Sequence, residues 1–294
     1  MTEHFGIIGY PLGHSLSPYM HSRYAYYLNE TQEYHIFECT PDKLEDTVQK
    51  LHRNNVQGLN VTLPYKQEIQ RFLCDIDDAA LKIGAVNTLK YCTNGYVGFN
   101  TDYLGLKNCI DSVDISLKNH NVLILGAGGA ARSVAYLARK EDCNELIILN
   151  RTLSNAEQIC RDFDGQALDY SMIDCLKSQY IVFQSTKVGM YPDTDEVLPL
   201  PDTIYSHFEA AVDLIYNPLE TLFLKKSKSF GIKSLNGFNM LIEQGLESRR
   251  IWNPSETITD EIKSLAICGH IHYRFKILII ICRLCSVVCI IDVT

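Results

Sequence analysis

Positive charge is what this chain has little of. Its 27 lysines and arginines stand against 35 aspartates and glutamates, a formal net charge of -8 at pH 7. General attraction to nucleic acid or to an anionic membrane is therefore not expected, and an anionic ligand has to be held by local donors. No basic, apolar and small-residue signal precedes Phe5, so export is not expected. The eleven cysteines, mostly inside apolar segments, then read as reduced thiols of a cytoplasmic protein and not as a disulfide framework. Long apolar runs are missing too: Ile277 to Ile291 is almost wholly apolar but fifteen residues long and contains Arg283, short of the roughly twenty that a membrane-spanning helix needs. Internal repeats and low-complexity linkers are also absent. What remains is an ordinary globular composition, 46% hydrophobic and 21% charged over 294 residues, long enough for two domains with a core each.

The stretch from Asn121 to Thr152 organises the rest. Val122-Leu123-Ile124-Leu125 reads as a buried strand, glycines follow at once, and Ala130 to Lys140 has a helical composition. The spacing Gly126-x-Gly128-x-x-Ala131 permits a sharp turn, close approach of backbone N–H groups to a pyrophosphate, and tight packing of helix on strand. Leu146 to Leu149 supplies the next strand. No acid stands at its end to hold the ribose 2′-hydroxyl of NAD. Asn150 and the cation Arg151 stand there instead and suit the 2′-phosphate of NADP.

Before this unit, residues 5–9 read as a short strand, Ser17 as a helix cap and Pro18 as the first position of a helix over Tyr19 to Leu28. That reading is complete in itself, yet Ser15 and Ser17 at a helix start also suit a carboxylate. Tyr34 to Glu38 and Gly58 to Thr62 read as strands, with a helix over Pro41 to Asn54 burying Leu44, Val48 and Leu51. Alternation of this kind predicts a parallel sheet. After Leu63 a third helix is expected with Pro64 in its first turn. Lys66 would then sit near the positive end of a helix dipole, which favours its neutral form and proton exchange; a solvated surface lysine is the plainer reading. Asn87 and Asp102 lie at strand ends where ligand contacts gather, and both are also ordinary turn residues. Tyr103 to Val113, the segment after Arg151 to Phe163, and the segment from Gly237 read as helices, the last carrying Gln244. Ile181 to Phe183 and Ala211 to Ile215 read as strands.

Eight stretches in this order resemble the shikimate dehydrogenase family: GYPLGHSLSP at 9–18, NVTLPYK at 60–66, GAVNT at 84–88, GFNTD at 98–102, GAGGAA at 126–131, NRT at 150–152, DLIYNP at 213–218 and GFNMLIEQG at 237–245. The likeness covers residues 5 to about 265. It implies an α/β protein with an N-terminal substrate domain built on a mostly parallel sheet (1–102 plus 238–266), a Rossmann NADP domain (103–237), and a cleft between them for both ligands. The implied reaction is NADP-dependent reduction of 3-dehydroshikimate to shikimate on the route to aromatic amino acids. By the same resemblance, Lys66 and Asp102 are the catalytic pair, Ser15 and Ser17 hold the substrate carboxylate, and Asn60, Thr62, Asn87, Gln244 and Tyr216 surround the ring. Cofactor contacts fall to Gly126, Ala127, Gly128, Gly129, Ala130, Asn150, Arg151, Thr152, Thr186 and Gly237. A monomer or homodimer is implied.

Two departures stand out. Gln184-Ser185-Thr186-Lys187 replaces the Asn-x-Thr-Pro-like turn common in the family, and Asn155 stands where a second basic residue is usual, leaving Arg151 as the main clamp for a 2′-phosphate. An NAD-using quinate/shikimate dehydrogenase and a catalytically silent NADP-binding regulator are the alternatives; the serine pair and Arg151 argue against the first, Lys66 and Asp102 against the second. The tail, 267–294, matches no family motif. Cys268, His270, His272, Cys282 and Cys285 have a loose metal-like spacing there, but β-branched enrichment argues for a strand or a sticky tail, and no metal site is assigned.

Overall fold

The computed structural model describes residues 2–13, 15–255 and 259, together with the backbone of 278–281 and 288–291. The chain divides into two compact units, one of Met1–Asp75, Thr88–Gly98 and the residues from Ser248 on, the other of Ile76–Asn87 and Phe99–Glu247.

The first unit is built around β1 (Glu3–Gly9), β2 (Gln32–Glu38), β3 (Gly58–Val61) and β5 (Thr88–Cys92), with β4 (Asp75–Ile76) and β6 (Gly95–Phe99) completing a sheet of order β2-β1-β3-β5-β6-β4. β1 pairs in parallel with both β2 and β3, and β3 pairs antiparallel with β5, so the expected parallel sheet holds on one side and becomes mixed on the other. Two helices accompany these strands, α1 (Ser17–Leu28) and α2 (Leu44–Arg53). α2 buries Leu44, Val48 and Leu51 as its spacing predicts, after a short 3-10 turn over Pro41–Lys43.

The second unit holds a sheet of order β12-β11-β10-β7-β8-β9, made from β7 (Asn121–Leu125), β8 (Leu146–Leu149), β9 (Gln166–Leu168), β10 (Tyr180–Gln184), β11 (Phe208–Asp213) and β12 (Lys233–Leu235). Every pairing in it is parallel. This is the doubly wound order, in which the chain runs outward from β7 one way and then from β10 the other. Successive strand residues alternate between two cores. Val122, Ile124, Ile148, Ile181 and Phe183 join one that includes α4 (Asp102–Asp111), α5 (Gly129–Lys140) and α6 (Leu153–Phe163). Leu123, Leu125, Ile147, Leu149 and Val182 join the other, with Phe223 and Leu224 of α7 (Leu222–Ser229). Burial on both faces explains why these strands read as unbroken apolar runs.

α3 (Asp78–Ile83) lies in the second unit, and α8 (Phe238–Trp252) contributes to both. In the tail, the backbones of β13 (Leu278–Ile281) and β14 (Val288–Ile291) pair antiparallel, in keeping with the expected strand character. Cys268, His270, His272, Cys282 and Cys285 lie outside the described residues. No helix among the described residues is long and apolar enough to cross a membrane.

Candidate active site

In the first unit, α1 begins at Ser17 itself. Its cap position is Leu16, and no side chain caps the helix, so the expected role of Ser17 as cap is corrected. Proline sets the first turn by fixing its own φ, which leaves the serine hydroxyls for other partners. Ser15 Oγ accepts from the Ser17 backbone N–H at 3.4 Å, which holds the two serines together. Ser17 is buried, and its hydroxyl also acts on Tyr34, whose phenol burial pushes well above its usual range.

Tyr34 is the start of a buried polar chain. Its hydroxyl donates to Asn60 Oδ1 at 2.8 Å, and Asn60 Nδ2 donates to Ser248 Oγ at 2.9 Å and to Thr88 Oγ1 at 3.5 Å. Thr88 and Ser248 share a further hydrogen bond of 2.8 Å. His21, fully buried, stacks on the Tyr34 ring with centroids 4.5 Å apart. Burial, and then the charge of Arg249, hold its imidazole well below the usual value and therefore neutral. Of these residues only Asn60 was expected at a site. Tyr34, Ser248, Thr88 and His21 carried no local signal that marked them.

Thr62 follows β3 directly, its N–H donating to Ile8 O at 3.0 Å. Lys66 is half-buried four residues on, but the helix expected around it is not there. Residues 63–67 form turns, and a five-residue 3-10 segment starts only at Glu68. Without that helix no summed dipole faces Lys66, because a single short turn aligns few peptide dipoles.

In the second unit, Asn87, Asp102 and Gln244 come together. Asn87 is 2% exposed and Asp102 6%. Asn87 Nδ2 donates to Asp102 Oδ1 at 2.8 Å, to Thr101 Oγ1 at 2.9 Å and to Gln244 Oε1 at 3.4 Å, while its Oδ1 accepts from Thr101 N–H at 2.7 Å. Gln244 reaches this cluster because α8 passes close to Gly105 of α4, where an added Cβ would stand 2.7 Å from the Gln244 backbone nitrogen. Asp102 opens α4, its N–H donating to Asn100 Oδ1 at 3.0 Å. Buried polar side chains of this kind need such partners.

Of the residues expected to contact a cofactor, Gly126 to Ala130 and Thr186 lie where the strand order reverses, between β7 and β10, at the carboxyl ends of the strands, which is where open α/β sheets bind ligands. Gly126 turns with φ +105°, and a Cβ on it would stand 2.8 Å from Thr186 Cγ2 and 2.9 Å from Ser185 Oγ. A Cβ on Gly128 would meet nothing within 4 Å, so the turn is open there. Ala127, Gly129 and Ala130 continue it into α5, whose start has no side-chain cap and no acid in its first turn. That leaves backbone N–H groups to receive an anion, and the residues present therefore fit a dinucleotide pyrophosphate. On the neighbouring turn, Gln184 is buried and braces Val188 O at 3.1 Å, while Thr186 Oγ1 accepts from Val188 N–H. The departure from the family's usual turn is thus filled by a glutamine that ties its own loop.

At the end of β8, Asn150 Nδ2 donates to Thr152 O at 2.8 Å. Arg151 and Thr152 are exposed, and among the described residues no acid forms a salt bridge with Arg151. Gly237 is required by its neighbours, since a Cβ would stand 2.2 Å from Leu214 O. Its N–H donates to Ile215 O, next to half-buried Tyr216.

Two family models match the chain: the shikimate dehydrogenase substrate binding domain over residues 7–89, and shikimate / quinate 5-dehydrogenase over 109–194. The chain is 37% identical over 257 residues to a shikimate dehydrogenase (NADP(+)) of Methanococcus maripaludis, covering 85% of this chain and 92% of that one. The chain belongs to the shikimate dehydrogenase family. Among solved structures, shikimate 5-dehydrogenase of Thermus thermophilus in complex with NADP(H) and shikimate superposes with a TM-score of 0.80 at 32% identity, over 90% of this chain and 98% of that one. The Listeria monocytogenes enzyme in complex with shikimate and NAD gives 0.81 at 31% identity, over 90% and 96%.

Proposed function

We propose that the protein is an NADP-dependent shikimate dehydrogenase, an oxidoreductase interconverting 3-dehydroshikimate and shikimate in aromatic amino-acid biosynthesis. The observation that carries this is the open glycine turn at the strand-order reversal, with the cation Arg151 and no acid at the end of the next strand. A negative 2′-phosphate gains from a guanidinium there, whereas a 2′-hydroxyl would want a carboxylate.

Bound NADPH supplies a hydride to the substrate carbonyl. Everything else falls to side chains. As the carbonyl oxygen gathers charge, the Lys66 ammonium donates a proton to it, and the Asp102 carboxylate favours and orients that ammonium. In the oxidative direction Lys66 takes the hydroxyl proton back. Ser15 and Ser17 donate to the substrate carboxylate, while Asn60, Thr62, Asn87, Tyr216 and Gln244 meet the ring hydroxyls. Most of these groups are already hydrogen-bonded to neighbours, which limits the ordering cost of binding. Residues 1–102 and 238–266 form the substrate domain in this reading, and 103–237 the cofactor domain. Free thiols at Cys39, Cys74, Cys92, Cys109, Cys143, Cys160 and Cys175 support a reducing, cytoplasmic setting. The protein acts as a monomer or homodimer on small molecules.

Steady-state reduction of nicotinamide with shikimate or quinate, each with NADP or NAD, tests the assignment. Shikimate with NADP should give the highest kcat/KM of the four pairings. A higher value for quinate with NAD would establish the quinate reading, and a folded protein without turnover in any pairing the regulator reading.

A further inference from the structure

Away from the residues assigned above, three potential ligands converge on the outer edge of the first sheet. Parallel register sets His4 of β1 opposite Glu33 of β2, and His35 follows Glu33 by two residues, on the same face of the strand. The three donor atoms form a nearly regular triangle. His4 Nδ1 lies 3.3 Å from His35 Nε2 and 3.6 Å from Glu33 Oε2, and His35 Nε2 lies 3.3 Å from that same oxygen. Four ligands placed at about 2.0–2.1 Å around a tetrahedral zinc ion stand about 3.3–3.4 Å from one another. The triangle therefore has the size of one face of such a tetrahedron. With side chains 41–57% exposed, water can take the fourth corner.

We propose that His4, Glu33 and His35 form a surface site for a divalent first-row transition-metal ion such as zinc. Two imidazoles and one carboxylate suit zinc, copper or nickel and not magnesium or calcium, which prefer all-oxygen shells. The ion ties the edge strand β2 to β1. Because the three donors meet only when the strands are paired, binding favours the folded chain and raises its melting temperature. The site is independent of the proposed reaction, and none of its ligands belongs to the substrate or cofactor set.

The test uses the full chain, reduced and stripped by a chelator, titrated with Co²⁺ as a spectroscopic probe and with Zn²⁺ in competition. The expected result is one Co²⁺ bound with the d–d bands of nitrogen and oxygen ligation and no thiolate-to-cobalt charge transfer. His4→Ala and His35→Ala should each weaken binding at least about tenfold, and Glu33→Gln, which preserves shape, should weaken it as well. The same substitutions should abolish the zinc-induced rise in melting temperature while the metal-free melting temperature and shikimate oxidation stay at parental values. Unchanged affinity in both histidine variants would overturn the proposal. So would binding that carries thiolate bands and disappears in Cys74→Ser, since Cys74 and Cys92 hold their sulfurs 3.2 Å apart and are the rival described thiols.

Discussion

The polar network around Asn60 in the first unit presents side chains where the glycine turn after β7 in the second presents bare backbone. Around Asn60, hydroxyl, amide and phenol groups are already linked from Tyr34 to Ser248 and Thr88. At Gly126 to Gly129 there is almost no side chain at all, only a turn that a Cβ would obstruct at its first glycine and an uncapped helix start. Each arrangement suits its ligand. A ring with several hydroxyls is told from its relatives by donors and acceptors fixed in number and direction, whereas a pyrophosphate needs close approach and N–H groups. In the proposed function the first arrangement serves the substrate, the second the cofactor, and the chemical step rests on Lys66 and Asp102.

That division breaks most visibly at Lys66. Lys66→Ala should lower kcat by about 10² to 10⁴-fold with far smaller changes in KM for shikimate and NADP, because a lost proton donor acts on the transition state. Steady-state kinetics in both directions check it, and an increase in KM alone would make Lys66 a binding residue. Next in size is Asn60→Ala, which strands the buried partners of the amide. It should cost about 1–3 kcal/mol in urea unfolding and raise the KM for shikimate while leaving NADP affinity alone. Arg151→Ala should reduce the preference for NADP over NAD roughly tenfold, about 1.4 kcal/mol. Equal losses for both cofactors would remove the 2′-phosphate role of Arg151.

The smallest effect concerns a further buried carboxyl of the second unit, at the end of β11. Asp213 accepts from Thr221 Oγ1 and from Ile215 N–H, yet burial pushes its carboxyl up to about 6 from 3.8. The folded chain then binds this proton more tightly than the unfolded chain. Its contribution to stability is complete below about pH 4 and is lost as pH rises through about 6. Asp213→Asn should flatten that decline in a melting series over this range. The same slope in parent and variant would place the titration elsewhere.

The same contrast governs what could be read from the sequence. The glycine turn, β7, β8 and α5 are local objects, each fixed by a few neighbouring residues, and they lie within a residue or so of where the pattern puts them. The side-chain network is not local. Tyr34 and Asn60 are 26 residues apart and Asn60 and Ser248 188 apart, so nothing in the spacing marks Tyr34 or Ser248 as partners. His4 and His35 stayed hidden for the same reason, since only the register of β1 on β2 brings them together. The helix expected after Leu63 failed differently. Pro64 fits a first helical turn as well as a loop, and here the chain turns for five residues before a short 3-10 segment begins. At Ser17 the misreading was one of register: a serine before proline suits a cap, but the helix already includes it.

In the proposed mechanism Lys66 and Asp102 act as one proton-handling pair. A double-mutant cycle on kcat for shikimate oxidation, with Lys66→Ala, Asp102→Asn and the double variant, tests it most directly. Each single change should be costly and, once Lys66 is gone, Asp102→Asn should cost much less than it does in the parent. Losses that simply multiply in the double variant would show two residues acting independently and would contradict it.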